Sequence, residues 1–274
     1  MISSQTPKDT CFNNAKRKGF LKSIIHLHIE SMAEHWVENH KRDSWRRQAK
    51  SSGYRARSAF KLKQIQDRYT VLRKGDLVFD VGCHPGGWSQ VALELIGDKG
   101  RLVGVDLQST QSIDGATFLT GDVRDEVIQQ QILNFLGEEK FNSIISDISP
   151  DITGNWNIDQ TIALELVAMV FDFAVPHLGK GGCFVAKLFQ GTGVDILISE
   201  IGKHFSFVRR FSPDASRNSS SEVYLICKHH TPWKAPAKSI VERFQERMNE
   251  LLNDEIEDVE PIKTSLRVRK KKIE

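Results

Sequence analysis

Lys187 stands inside the apolar run GCFVAKLF, where an ammonium group is costly unless it is paired. Burial and a neighbouring cation both disfavour the charged amine, so a lysine held in this way can work as a base. Three other residues could share its site. Asp147 lies in NSIISDIS, Glu222 opens EVYLICK, and Lys61 follows a basic stretch in RSAFKL. Alone, the four would amount to two ordinary ion pairs. They become a catalytic set only if the fold brings them to one place.

A second group of residues surrounds LVFDVGCHPGGWSQVALELIG. A buried strand ends at Asp80-Val81-Gly82, a tight Gly/Pro turn follows, and a helix opens near Gly87. Gly82, Gly86 and Gly87 let the backbone turn sharply and come close to a ligand. The helix start offers free N–H groups and a positive dipole end. The spacing is G-x-x-x-G-G, not the G-x-G-x-x-G of dinucleotide binders, which disfavours a pyrophosphate cradle. Acids then recur at the ends of the next strands. Asp106 after RLVGV is placed to accept both hydroxyls of a ribose, and Asp122 in ATFLTGD to accept from an adenine amine. Any one of these acids reads equally well as a helix cap. Four consecutive strands ending in Asp80, Asp106, Asp122 and Asp147 do not. Together they suit an adenosine-bearing, positively charged cofactor: S-adenosylmethionine (SAM) rather than NAD.

The elements that must carry these residues are legible between about Leu77 and Lys228. LVFDVG, RLVGVDL, ATFLTGD, NSIISDIS, GCFVAKLF and EVYLICK read as strands. GGWSQVALELIG, RDEVIQQQILNFLG, IDQTIALELVAMVFDFAVPHL and VDILISEIGKHF, between them, read as helices. Strands apolar on both faces, alternating with helices, imply a mainly parallel sheet covered on both sides, with its ligand at the carboxyl ends of the strands.

With these pieces in order, the sequence resembles the FtsJ/RrmJ-type ribose 2′-O-methyltransferases over about Trp36 to Lys228. The resemblance rests on YRARSAFKL, DVGxxPGGWSQ, VDL, GDVRDE, SDISP, VAKLFQG and SSEVYLI. It implies a class I SAM-dependent methyltransferase fold, Rossmann-like α/β, with a mainly parallel seven-stranded sheet and helices on both faces. The family's Lys-Asp-Lys-Glu tetrad falls on Lys61, Asp147, Lys187 and Glu222. Its SAM contacts fall on Gly86, Trp88, Asp106, Asp122 and Asp147. The implied activity is methylation of a ribose, on a uridine of the peptidyl-transferase region of large-subunit ribosomal RNA. The implied setting is a cytoplasmic monomer acting on the assembled subunit. This sequence departs from the family pattern at Cys83 and His84, where small residues are usual, and at Ser221, where a basic residue often stands. His84 reads as a solvent-facing residue.

On this reading Lys187 accepts the proton of the 2′-hydroxyl, Asp147 orients Lys187, and Lys61 and Glu222 position the hydroxyl. The set titrates as a coupled group. No metal is implied; His26, His28, His35 and His40 read as surface residues. The stretch KRDSWRRQAKSSGYRARSAFKLK, Lys41 to Lys63, interleaves cations with Trp45 and Tyr54 and suits RNA phosphates and bases. Arg209, Arg210 and Arg217 are candidates to join it. The plain alternative is a solvated amphipathic helix. Three rival functions share parts of this pattern: a ribose methyltransferase acting on tRNA, an NAD-dependent oxidoreductase, and a non-catalytic RNA-binding module. The missing dinucleotide spacing and the intact tetrad weigh against the last two.

The 274 residues carry a net charge of only +3, with 39 % apolar and 27 % charged residues, which excludes a chain disordered throughout. Four scattered cysteines without a CxxC pair argue against a disulfide framework or zinc ribbon and fit a reducing compartment. No spanning helix or signal peptide is legible. Residues 1–31 read as a disordered extension, with Met32 a candidate start. Residues 32–230 read as the methyltransferase domain, and 231–274 as a C-terminal helix and basic tail. In SIVERFQERMNELL the positions Ile240, Phe244, Met248 and Leu251 recur at helical spacing, predicting an amphipathic helix packed on the body.

Overall fold

The computed structural model describes residues 44–150, 153–216, 221–232 and 238–257. The N-terminal extension, the four N-terminal histidines, Arg217 and the basic tail lie outside them.

Two helices, α1 (44–51) and α2 (Ala59–Tyr69), precede the sheet. The alternation then runs β1 (Leu77–Val81), α3 (Gly87–Ile96), β2 (Arg101–Asp106), β3 (Ala116–Thr120), α4 (Glu126–Leu136), β4 (Phe141–Ser146), α5 (Trp156–Ala174) and β5 (Leu178–Phe189). It closes with α6 (Val194–Gly202), β6 (Phe205–Phe211), β7 (Glu222–His230) and α7 (Ile240–Glu257). The strands form one seven-stranded sheet of order β3-β2-β1-β4-β5-β7-β6. The pairings from β3 to β5 are parallel, and β7 runs antiparallel to both β5 and β6.

The sheet is covered on both faces, which is why β1 is buried at all five positions. Alternation sorts the side chains. Leu77, Phe79 and Val81 join Ile144, Leu164, Phe171 and Phe184 on the face covered by α4, α5, α6 and α7. Val78 and Ile145 join Leu62, Ile65, Trp88 and Val91 on the face covered by α2 and α3. The helix α7 belongs to the body: Ile240 and Phe244 are buried, and Asp172 of α5 accepts from the first two backbone N–H groups of α7 at 2.8 and 3.0 Å.

Two elements differ from the sequence reading. The helical pattern read through Phe205 stops at Gly202, and Phe205 instead begins β6, a strand absent from the reading. As an edge strand β6 pairs with β7 alone, and Ser206, Arg209 and Arg210 are exposed, which blurs the apolar signal. The long run ending in PHL stops as a helix at Ala174, and Pro176 sits in a 3-10 turn before β5.

Candidate functional site

The strand order reverses between β1 and β4, and this crevice is where open α/β sheets bind ligands. From the β3 edge inwards, Asp122, Asp106, Asp80 and Asp147 stand at or just past the ends of β3, β2, β1 and β4. Between them lies the turn from Gly82 to Gly86. Gly86 adopts φ 108°, a left-handed conformation that glycine tolerates, and a Cβ there would meet Nη1 of Arg55 at 2.9 Å.

Asp106 takes one backbone bond on each oxygen, from His84 N at 3.0 Å and Gln108 N at 2.8 Å. Each oxygen keeps a lone pair, as a pair of ribose hydroxyls requires. Asp122 is held by Arg124, through its backbone N–H at 2.9 Å and its guanidinium; this pair keeps the carboxyl below its ordinary range. Trp88 is turned into the core, its Nε1 donating to the Ser58 carbonyl at 2.9 Å and its ring 5.5 Å from that of Tyr224. What Trp88 can offer a ligand is its backbone N–H, one of those a helix start leaves unbonded within itself. His84 is exposed, and a ring nitrogen lies 3.0 Å from the Ser109 carbonyl. Cys83 is buried, which pushes its thiol up to about 12.

Asp80 is the acid the sequence reading used least. It is buried, with Oδ2 accepting from the Ser89 hydroxyl at 2.5 Å and Oδ1 without a partner among the described residues. Burial raises its carboxyl to about 7, and the charges of Asp147 and Asp106 add to the rise. Four carboxyl groups at one crevice, Asp80 among them with one oxygen unpartnered, fit a ligand that carries positive charge and hydroxyls. A SAM-type donor meets that requirement.

The tetrad residues come together one step along the sheet. Lys187 donates to the Asp147 carbonyl at 2.7 Å and lies 3.4 Å from its Oδ1. Lys61, on the inner face of α2, lies 2.6 Å from Oε1 of Glu222. Glu222 also accepts from the Ser216 hydroxyl at 2.9 Å. Glu222 opens its strand, yet it reaches the same edge because β7 is antiparallel: it is in register with Phe189, the last residue of β5. That register also pairs Tyr224 with Lys187. The Tyr224 hydroxyl donates to Asp147 Oδ1 at 2.7 Å, and its ring lies 5.7 Å below Lys61 Nζ. Tyr224 thus joins the two ion pairs. The sequence reading missed it inside an apolar strand; the available signal was its place two residues beyond Glu222, on the same strand face.

Arg55 connects the basic segment to the crevice. Its Nη1 donates to the Gln111 carbonyl at 2.7 Å and the Pro85 carbonyl at 3.4 Å, and Nη2 to the Ser112 carbonyl at 2.9 Å. Its backbone N–H donates to the Gln90 side chain at 2.8 Å. Arg209 and Arg210 diverge, as neighbours on a strand must: Arg209 lies over Phe207, whereas Arg210 pairs with Asp195 of α6.

The model of the FtsJ-like methyltransferase family matches residues 54–230, a span that includes the crevice and all four tetrad residues. This chain belongs to the FtsJ-like methyltransferase family. It is 37 % identical over 236 residues to the ribosomal RNA large subunit methyltransferase E of Methanocaldococcus jannaschii, covering 84 % of this chain and 96 % of that protein. It is 39 % identical over 191 residues to the methyltransferase of the same name from Pseudomonas fluorescens, covering 70 % of this chain and 91 % of that protein. Among solved structures, a Plasmodium falciparum protein described as a ribosomal RNA methyltransferase superposes with a TM-score of 0.60 at 27 % identity, over 65 % of this chain and 98 % of that one. Membership makes the chain a methyltransferase, and the donor this implies is of the SAM type.

Proposed function

We propose that this protein methylates a ribose 2′-hydroxyl of large-subunit ribosomal RNA, with Lys187 as the general base. The observation that carries the reading is the junction of two buried lysine–carboxylate pairs beside a crevice lined by strand-end acids. The names of its relatives in M. jannaschii and P. fluorescens support ribosomal RNA as the substrate.

Gly86, Asp106 and the N-terminus of α3 would hold SAM, with Asp122 towards its base and Asp80 and Asp147 towards its positive charge. When bound, SAM supplies an electrophilic methyl group. The chain's own residues prepare the nucleophile. Lys187 takes the 2′-hydroxyl proton onto Nζ, which leaves the oxygen nucleophilic, and the electron pair of the donor's sulfur–methyl bond would stay on sulfur. Asp147, held by Tyr224, keeps Nζ directed. Lys61 and Glu222 hold the ribose, and alignment of the two reactants supplies much of the rate.

Arg46, Lys50, Tyr54, Arg55 and Arg57 line a cavity of about 420 Å³ at the junction of α1 and the following loop. Arg46 and Lys50 serve there as phosphate contacts for the RNA. The substrate in this reading is a uridine of the peptidyl-transferase region in the assembled subunit, and the enzyme works in the cytoplasm as a monomer. Among the described residues no helix is long and apolar enough to cross a membrane.

The test is methyl transfer from labelled SAM to isolated large subunits, with bulk tRNA alongside and Lys187→Ala as control. Label at a ribose of large-subunit RNA, lost in the variant while SAM still binds, is the expected result. Label on tRNA alone overturns the substrate. Full activity of the variant overturns the base.

A further inference from the structure

We infer that Trp156 is a stacking platform for a nucleobase that flanks the ribose being methylated. The inference rests on the ribose-methylation reading and adds to it a base-binding subsite at the mouth of the tetrad.

Trp156 is the first residue of α5 and is 50 % exposed. Half of its surface is open to solvent, which leaves an aromatic group free to receive a partner at this place. The helix start that carries Trp156 is held in place by hydrogen bonds. Asp159 accepts from Thr153 N at 2.8 Å, Thr153 Oγ1 at 2.6 Å and Gly154 N at 3.2 Å, and the Asn155 side chain caps the helix at Ile158 N. The indole packs perpendicular to Phe189, at 6.2 Å between centroids and 85° between planes, and the rest of it stays open to solvent. Phe189 in turn lies on the same strand as Lys187, two residues on, with Lys187 Nζ 5.9 Å from its ring centre. The sequence Lys187, Phe189, Trp156 therefore leads from the proposed base outward to solvent along one line of contacts.

A ribose held at the tetrad must have its bases splayed out of any stack, and unstacked bases are received on aromatic faces. Every base offers such a face, so the platform fits RNA without demanding a particular sequence. A protein partner is the other class that would use exposed apolar groups, and Ile158 and Ile162 are exposed on the same helix. At about 100° per residue they stand about 160° and 120° around the helix from Trp156, so they do not extend its surface into one patch. Continuity with Phe189 and Lys187 selects the base.

The test compares Trp156→Ala and Trp156→Phe in the full chain with wild type, using isolated large subunits and labelled SAM. Trp156→Ala is expected to raise KM for the RNA by about five-fold or more, the scale of one lost base stack, with KM for SAM and Tm unchanged. Trp156→Phe keeps an aromatic face and is expected to restore KM. The second readout needs no turnover. A short single-stranded RNA should quench the tryptophan emission of wild type, and the difference between wild type and Trp156→Phe should carry most of that quenching. Equal KM values in all three proteins, or quenching unaffected by Trp156→Phe, overturns the platform. If wild type transfers no methyl group to ribosomal RNA, the functional reading fails, and quenching still decides the role of Trp156.

Discussion

The Tyr224 hydroxyl donates to Oδ1 of Asp147 at 2.7 Å, the same oxygen that lies 3.4 Å from Lys187 Nζ. Tyr224 is a neutral donor in this place. Burial first, and then the charges of Asp147 and Glu222, push its own ionisation well above the ordinary range. The bond fixes the Asp147 oxygen that faces Lys187 Nζ. Hydrogen bonds to charged groups contribute about 1.5–3 kcal/mol. Tyr224→Phe keeps the ring against Trp88 and removes the hydroxyl that interacts with Asp147 and Glu222. The expected outcome is kcat reduced about ten-fold with KM for RNA unchanged and Tm lowered by a few degrees. Steady-state kinetics measure it, and an unchanged kcat would remove Tyr224 from the positioning of Asp147.

Asp80 makes the crevice sensitive to pH. Its carboxyl is raised from its ordinary 3.8 to about 7 by burial, with Asp147 and Asp106 adding to the effect. Below about pH 3.8 the group is neutral in the folded and unfolded chain alike, and it exacts no penalty. As pH climbs towards 7 the unfolded chain ionises while the folded one retains its proton, so this group lowers stability, by at most a few kcal/mol. Above 7 the penalty is constant. Asp80→Asn is therefore expected to be more stable than wild type at pH 8, with the advantage shrinking towards pH 4. A cation bound beside Asp80 favours the carboxylate, so SAM affinity should rise with pH up to about 7 in wild type and much less in Asp80→Asn. Tm against pH and calorimetric titration of SAM check both. Parallel pH profiles for the two proteins would contradict the assignment.

What was legible in the sequence follows from how each element is buried. The central strands announce themselves because both faces are covered: β1 is buried throughout and β2 at its four inner positions. At the edge the signal fades: the helical pattern reaches one residue into β6, at Phe205, and the exposed arginines blur the rest of the strand. The helix α2 was hidden differently. Its buried face, Ala59, Phe60, Leu62 and Ile65, is interrupted by Lys61, a buried lysine that faces Glu222 across the fold. The acids at strand ends could be read from local pattern. For Tyr224 the local pattern offers only its place on the same strand face as Glu222; its importance comes from register with Lys187, and register is a property of two strands. Arg55 was read as one more cation for RNA, whereas its guanidinium is committed to three carbonyl groups of the protein.

That commitment yields a prediction about the donor site. Arg55 holds the Gln111–Ser112 segment against Pro85, and its planar fork serves carbonyls that a single ammonium could not reach together. Arg55→Lys keeps the charge and loses the fork. The expected result is KM for SAM raised about ten-fold, with kcat at saturating SAM close to wild type. The salt dependence of RNA binding should stay the same, because the group neutralises no phosphate. Arg46→Ala or Lys50→Ala should do the reverse, flattening the salt slope without moving KM for SAM. A shallower salt slope in Arg55→Lys would return Arg55 to the RNA surface.

The last prediction concerns the attachment of α7. Glu200 is buried on α6 and gathers three cations: Lys203 at 2.7 Å, Arg243 Nε at 3.0 Å and Arg247 Nη1 at 2.9 Å. Burial works against its charge, but Lys203, Arg247 and Arg243 outweigh it and hold the carboxyl below its ordinary range. Removing one partner of a buried pair costs about 3–5 kcal/mol, and the half-exposed Lys203 and Arg247 bring the expectation here nearer the low end or below. Glu200→Gln preserves volume while leaving the arginines of α7 without their anion. The expected outcome is a Tm lower by roughly 5–10 °C, together with faster proteolytic cleavage in α7. Because Glu200 belongs to the face opposite the tetrad helix α2, kcat at a permissive temperature should be retained. Unchanged Tm and unchanged protease resistance would mean that the apolar contacts of Ile240 and Phe244 suffice to hold α7 in place.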